Sequence, residues 1–203
     1  MFERRSALES HLAAGGRNGA GGTRVLRISE VRGWHLAQLA AFDSAGTRFG
    51  DALAPLIGGD LPAAAGQQRQ CGRGRILCLS RGQYWAETLD FAWLANLSRA
   101  IPPDAGAATP LSHSRVRMAV QGPAARALLA RGIAVDLHPS VFRVGDFTQT
   151  GLHHTGVLLE RSAENRYELF ALRSYAASIW EWLIDAALPF GYDVLFEEIG
   201  DKE

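Results

Sequence analysis

Lysine is almost absent from this chain: Lys202 is the only one, and every other basic residue is an arginine. A rigid, weakly hydrated guanidinium suits interface ion pairs, but coding bias is the simpler account of the excess. Cysteine is nearly as scarce. Cys71 and Cys78 match neither a redox pair nor half of a zinc site in their spacing, so both are expected to be reduced. Charge of one sign is missing altogether, because 21 basic side chains balance 21 acidic ones. Without a net field, nucleic acid and anionic membrane are both poor partners. The most apolar run near the end is interrupted by Arg173, Glu181 and Asp185, so no membrane span is expected. Met1-Phe2-Glu3-Arg4-Arg5 has no apolar stretch after its charges, which reads against a secretory signal and for a cytoplasmic protein. Paired carboxylates, a nucleophile elbow and a dinucleotide fingerprint are also missing, so no catalytic, cofactor-binding or metal-ligating residue is assigned.

What is present is enough apolar material for a globular fold: 203 residues, 47% of them hydrophobic, can build one sizeable core or two small lobes. Residues 1–23 read as an arm and a tether, a short helix from about Ser6 to Ala14 followed by the glycine-rich stretch to Thr23. Those glycines do not form a phosphate loop, since no strand precedes them and no Gly-Lys-Ser/Thr follows. Val25 to Val31 and Trp34 to Phe42 alternate as strands and are expected to pair as a hairpin around Gly33. A helix through Phe49, Leu53, Leu56 and Ile57, strands at Ile76–Leu79 and Tyr84-Trp85, and a helix from Leu89 to Ala100 complete a ββαββα first half, about 24–103.

The second half, about 110–191, repeats a similar order. Val116, Met118 and Val120 alternate along a strand that leads to a short helix started by Gly122-Pro123 and stopped by Gly132. Three strands, Phe147–His154, Gly156–Arg161 and Tyr167–Leu172, precede a final helix with Ser174 as its N-cap. Its apolar stripe runs through Tyr175, Ile179, Trp182, Leu183, Ala186 and Ala187. That phase leaves Trp180 facing away, either as an anchor for another subunit or under a loop of its own chain. The fold class is therefore α+β, two similar ββα-type halves with mixed or antiparallel sheets. His153 and His154, read as strand neighbours, point to opposite faces and cannot share a metal ion. His113 and His138 lack a sequence-adjacent nucleophile and orienting carboxylate, and read as surface or turn residues. The candidate partner interface consists of Arg5, Leu8, Tyr175 and Trp180, combining the N-terminal arm with the aromatic final helix.

Taken together, Gly122-Pro123-Ala124-Ala125-Arg126, Asp136-Leu137-His138-Pro139, Phe142, Gly145, Gln149-Thr150, Arg173-Ser174-Tyr175-Ala176 and Trp180-Glu181-Trp182-Leu183 resemble the gamma subunit family of heterotetrameric sarcosine oxidase. The resemblance is close over Ser112–Gly191 and thinner earlier, where it rests on Arg5-Ser6-Ala7-Leu8 and Leu61-Pro62. It implies a gamma-like domain over 24–200 with the folate-binding module of glycine-cleavage aminomethyltransferases as its fold. It also implies alpha, beta and delta partners, with FAD, FMN, NAD, tetrahydrofolate and zinc held in those chains. Where the transferases carry an aspartate ahead of the pair matching Ser112-His113, this chain has Pro110, which implies that one-carbon transfer does not occur here. Two other readings stay open: the corresponding subunit of N-methylglutamate dehydrogenase, and a free-standing folate protein using Arg173, Tyr175 and His113 around a pterin.

Overall fold

A computed structural model describes residues 5–11, 15–42 and 47–199. The chain divides into two compact units, one built from residues up to Arg32 together with His113–Glu198, the other from Gly33–Ser112. The second unit is thus inserted into the first. The boundary expected near residue 24 falls instead at Gly33, inside the segment read as a hairpin.

Among the described residues the first unit is a mixed seven-stranded sheet with two helices. Its strands are β1 (Gly15–Asn18), β2 (Leu26–Arg32), β8 (Arg115–Gln121), β9 (Phe147–Leu152), β10 (Thr155–Ala163), β11 (Arg166–Leu172) and β12 (Gly191–Glu198), in the order β1-β12-β2-β8-β11-β10-β9. Every neighbouring pair is antiparallel except β12 and β2, which run parallel with Val194 opposite Ile28. Helices α3 (Ala125–Leu129) and α4 (Ala176–Ala187) share one core with the sheet. Period-two alternation decides which face is apolar: Val116, Met118 and Val120 meet Leu159, Tyr167, Leu169 and Ala171 under α4. Gly122 opens the turn into α3 with φ +127°, and a Cβ there would collide with the Val25 carbonyl oxygen, so only glycine lets the backbones approach.

Among the described residues the second unit is an antiparallel five-stranded sheet with two helices on its apolar face. It comprises β3 (His35–Ala41), α1 (Thr47–Ile57), β4 (Gln68–Cys71), β5 (Gly74–Ser80), β6 (Gln83–Thr88), α2 (Phe91–Ala100) and β7 (Gly106–Pro110), ordered β4-β5-β6-β3-β7. Asp90 caps α2 by accepting the Ala92 and Trp93 amides at 2.9 and 3.3 Å. Phe49, Leu53 and Ile57 of α1 pack with Trp93, Leu94 and Leu97 of α2 against Leu39, Ile76 and Ala86. The Trp93 indole N–H donates to the Leu56 carbonyl at 3.2 Å, so its polar edge is satisfied in the core.

Three expectations are corrected. The β2–β3 hairpin does not form: β2 pairs with β8 and β12, while β3 pairs with β6 and β7. The glycine-rich stretch is not a loose tether, because Gly15–Asn18 is the edge strand β1 on β12. Beyond it Gly19 and Gly191 face each other so closely that a Cβ on either would strike the other's backbone. The N-terminal helix is absent over Arg5–His11, which form a turn, and Leu12–Ala14 lie outside the described residues.

Candidate functional site

On the face of the larger sheet opposite α4, strand alternation lines up polar side chains instead of apolar ones. Glu168 of β11 accepts from Arg117 of β8 at 3.0 Å and from Arg166 of its own strand at 2.6 Å. Arg166 continues to Glu197 of β12 at 2.6 Å and to the Gln121 amide oxygen at 3.2 Å. Glu197 in turn accepts the Ser29 hydroxyl of β2 at 2.6 Å, and Ser162 of β10 donates to Glu168 at 3.1 Å. Glu168 is fully buried, so these bonds are charge-assisted in a poorly solvated setting. Burial pushes the Glu197 carboxyl up, but the hydrogen bonds from Arg166 and Ser29 outweigh it and hold the group below its ordinary range. Burial also works against the Arg166 charge, yet its two carboxylates keep the guanidinium protonated at any accessible pH. The sequence signal for this ladder was polar residues recurring at every second position (Arg115, Arg117; Arg166, Glu168) within otherwise apolar strands.

A second polar cluster fixes the N-terminal arm to the first unit. Ser6 donates to Glu30 at 2.6 Å and accepts the Leu8 amide at 2.8 Å. His11 lies 3.5 Å from Glu181 of α4, and the Arg173 guanidinium donates to the Arg5 carbonyl at 2.7 Å. Leu8 sits in the core at 0% exposure. It is therefore not the free docking residue expected of an arm.

Trp180 is likewise corrected: it is 3% exposed and packs in the same core as Ile179 and Leu183, whereas Trp182 is half-buried. A 3-10 turn over Arg173–Tyr175 precedes α4, no side chain caps that helix, and Ser174 is exposed. Tyr175 and Leu172, at 47% and 42% exposure, flank Arg173 on the surface. Arg5 is exposed beside them through its carbonyl bond to Arg173.

Of the residues offered to a pterin, Arg173 lies beside His113 through its amide bond to the Ser114 carbonyl at 2.9 Å, and Tyr175 follows it on the surface. The Ser112 hydroxyl accepts the Leu36 amide at 2.9 Å and donates to the Leu36 carbonyl at 3.2 Å, closing the edge of the smaller sheet. Pro110 ends β7 opposite Ala37, His113 is exposed, and Arg173 holds the arm. Asp136-Leu137-His138-Pro139 is a structural turn. Asp136 accepts the His138 amide at 2.8 Å, the His138 ring meets the Ser140 hydroxyl at 2.7 Å, and Leu137 and Phe142 enter the core. Arg161 locks the following loop by donating to the Phe142 carbonyl at 2.8 Å while its own carbonyl accepts the Gly145 amide at 2.8 Å.

His153 and His154 are the two residues of the β9–β10 turn, with ring centroids 3.9 Å apart, so the opposite-face argument does not apply to them. Among the described residues no group of three or more His, Cys, Asp or Glu side chains is placed to hold a metal ion. No helix among them is long and apolar enough to cross a membrane.

This pair of α+β units defines the class. Aminomethyltransferase T of the glycine cleavage system from Bartonella henselae has the same fold at TM-score 0.66 and 14% identity, over 96% of this chain and 60% of that one. A nearer structure is heterotetrameric sarcosine oxidase from Corynebacterium sp. U-96, solved with pyrrole 2-carboxylate, which matches at TM-score 0.77 and 28% identity over 92% of this chain and 96% of the matched chain. The sarcosine oxidase gamma subunit family matches residues 96–188. Sarcosine oxidase subunit gamma of Corynebacterium sp. strain U-96 is 31% identical over 83% of this chain and 82% of its own length. The strain P-1 subunit is 32% identical over 68% of this chain and 70% of its length. The chain belongs to the sarcosine oxidase gamma subunit family.

Proposed function

We propose that this chain contributes assembly rather than turnover to a heterotetrameric sarcosine oxidase. The complete enzyme would demethylate sarcosine oxidatively to glycine, reduce oxygen to hydrogen peroxide and pass the methyl carbon to tetrahydrofolate as the methylene form. Its alpha, beta and delta chains would hold FAD, FMN, NAD, tetrahydrofolate and zinc, and the complex would work in the cytoplasm. Sarcosine rather than N-methylglutamate is favoured by the names of the curated relatives.

The observation that carries the non-catalytic reading is the structural employment of Arg173, together with the missing carboxylate at Pro110. Arg173, the cation read as a partner for a pterin glutamate tail, has its guanidinium engaged by the Arg5 carbonyl, and Pro110 stands where the transferases carry an aspartate. Tyr175 and Leu172 remain as the subunit-facing contact, with Arg5 at its margin, since exposed aromatics concentrate binding energy at interfaces. The test is co-expression of the other three chains with and without this one. Failure of the trio to assemble supports the reading; normal assembly and turnover without this chain overturns it. Calorimetric titration of the isolated chain with tetrahydrofolate should give no saturable heat, and micromolar binding would favour a folate-handling role instead.

A further inference from the structure

Among the described residues four strands end the two sheets, and three of them carry a device that discourages pairing with another chain. β1 and β4 are four residues long and contain Arg17 and Arg69, and β7 ends in Pro110. Short length, charge and proline are the usual protections of an open hydrogen-bonding edge. β9 has none of them: it is six residues, Phe-Thr-Gln-Thr-Gly-Leu, without charge or proline.

The direction of its free amides follows from the pairing with β10. The two-residue turn makes Leu152 and Thr155 the closing pair, and at the far end the Arg161 amide donates to the Asp146 carbonyl at 3.0 Å. Amides of Thr148, Thr150 and Leu152 therefore turn toward β10, and those of Phe147, Gln149 and Gly151 turn outward. Among the described residues the chain covers one end of this outer side itself. Ile133 forms a single antiparallel bridge to Leu152, and the His153 amide donates to the Gly132 carbonyl at 3.0 Å. From Phe147 to Gly151 no described backbone group completes the outer ladder; the Thr148 hydroxyl alone reaches the Gln149 carbonyl, at 3.4 Å. Just upstream, Val141 and Val144 are 58% and 55% exposed.

We infer that an extended, uncharged segment of another subunit of the same enzyme adds to β9 as an eighth strand of the sheet. This rests on the subunit reading above, because a chain that functions only inside a four-chain enzyme has a different polypeptide as its neighbour. Main-chain hydrogen bonds supply the attachment and alternating side chains the selectivity, as in other strand additions. A strand this short is one part of an interface, since stable association needs about 1,600 Å² of buried surface.

Hydrogen exchange followed by mass spectrometry, on the full chain alone and within the co-purified complex, tests the inference. The outward amides of Phe147, Gln149 and Gly151 should exchange about tenfold or more slower in the complex, as paired strands do relative to open edges. Equal exchange in an intact complex overturns the strand addition while leaving the subunit role standing. Failure of the chain to co-purify with other subunits overturns the subunit role itself. Protection that rises with concentration of the isolated chain makes a second copy the occupant and overturns the inference. As a second arm, Gln149→Lys places a charge on the edge without touching the core. It should lower the recovered complex about fivefold or more at unchanged melting temperature, and unchanged recovery overturns the inference.

Discussion

Replacing Trp180 by alanine separates a core residue from a subunit anchor. The side chain is 3% exposed among Ile179, Leu183 and the sheet residues beneath α4. Removing about 200 Å² of buried aromatic surface at about 25 cal/mol/Å² costs about 5 kcal/mol, in line with the roughly 3–5 kcal/mol seen for large aromatic-to-alanine changes in cores. For a protein of this size about 2–4 °C of melting temperature accompanies each kcal/mol, so thermal unfolding of the isolated chain should move down by about 6–20 °C. Tyr175→Ala is the paired control. At 47% exposure its removal should change stability by less than about 0.5 kcal/mol, yet weaken association with the other subunits by more than about 1 kcal/mol. Melting by circular dichroism and pull-down on the complex read both quantities. A Trp180→Ala chain that melts normally and fails only in association would refute the burial argument.

The remaining predictions concern the polar groups. Glu168→Gln removes a buried carboxylate shared by Arg117 and Arg166 and should destabilise the chain by about 3–5 kcal/mol in urea melts; a loss below about 1 kcal/mol would contradict the buried ladder. Glu197 is held below its ordinary value of 4.5, so the native state binds fewer protons than the unfolded one; its contribution is present above that value and fades as pH falls through the depressed one. Glu197→Gln should therefore flatten the acid limb of the stability profile and leave the slope above pH ~6 unchanged. Cys78 is fully buried and burial raises both thiols, with Arg69 partly opposing the rise at the half-buried Cys71. Iodoacetamide at mild alkaline pH should label Cys71 first and Cys78 only after unfolding, and equal native rates would count against the second unit's packing.

Much of the first unit was legible because its strands have one apolar face. Val116, Met118 and Val120 announce β8, and each enters the core under α4. Local signals were blind to partner choice. Val25–Val31 and Trp34–Phe42 alternate on either side of a glycine as a hairpin does, yet the same pattern serves a chain that leaves one sheet and enters another. β12 escaped notice because its parallel partner β2 lies at the opposite end of the sequence. Glycine was read as looseness at residues 15–22, whereas Gly19 is there for close backbone contact. The tryptophan assignment failed on helical phase. Ile179, Leu183 and Ala187 lie in the expected stripe and in the core alike, but at about 100° per residue the buried face extends from them toward Ala176 and Trp180, whereas the expected stripe extended to the other side, toward Tyr175, Trp182 and Ala186.

The same distinction between local pattern and long-range partner gives the charge ladder its physical rationale. Apolar burial holds β12 against the sheet through Tyr192 and Val194, but apolar contacts are tolerant, and a slip of two residues along β2 would again bury alternate side chains. Glu197 is not tolerant. It must sit where the Ser29 hydroxyl and the Arg166 guanidinium both reach it at 2.6 Å, and a two-residue displacement, about 7 Å along a strand, breaks both bonds at once. Arg166 is itself held by Glu168, which is bonded across β11 and β8 to Arg117, so the register of four adjacent strands is tied to one set of hydrogen bonds. Buried ion pairs contribute little net stability after desolvation, and their worth lies in the arrangements they forbid. Here the arrangement protected is the only parallel pairing among the described strands, joining segments that no turn brings together.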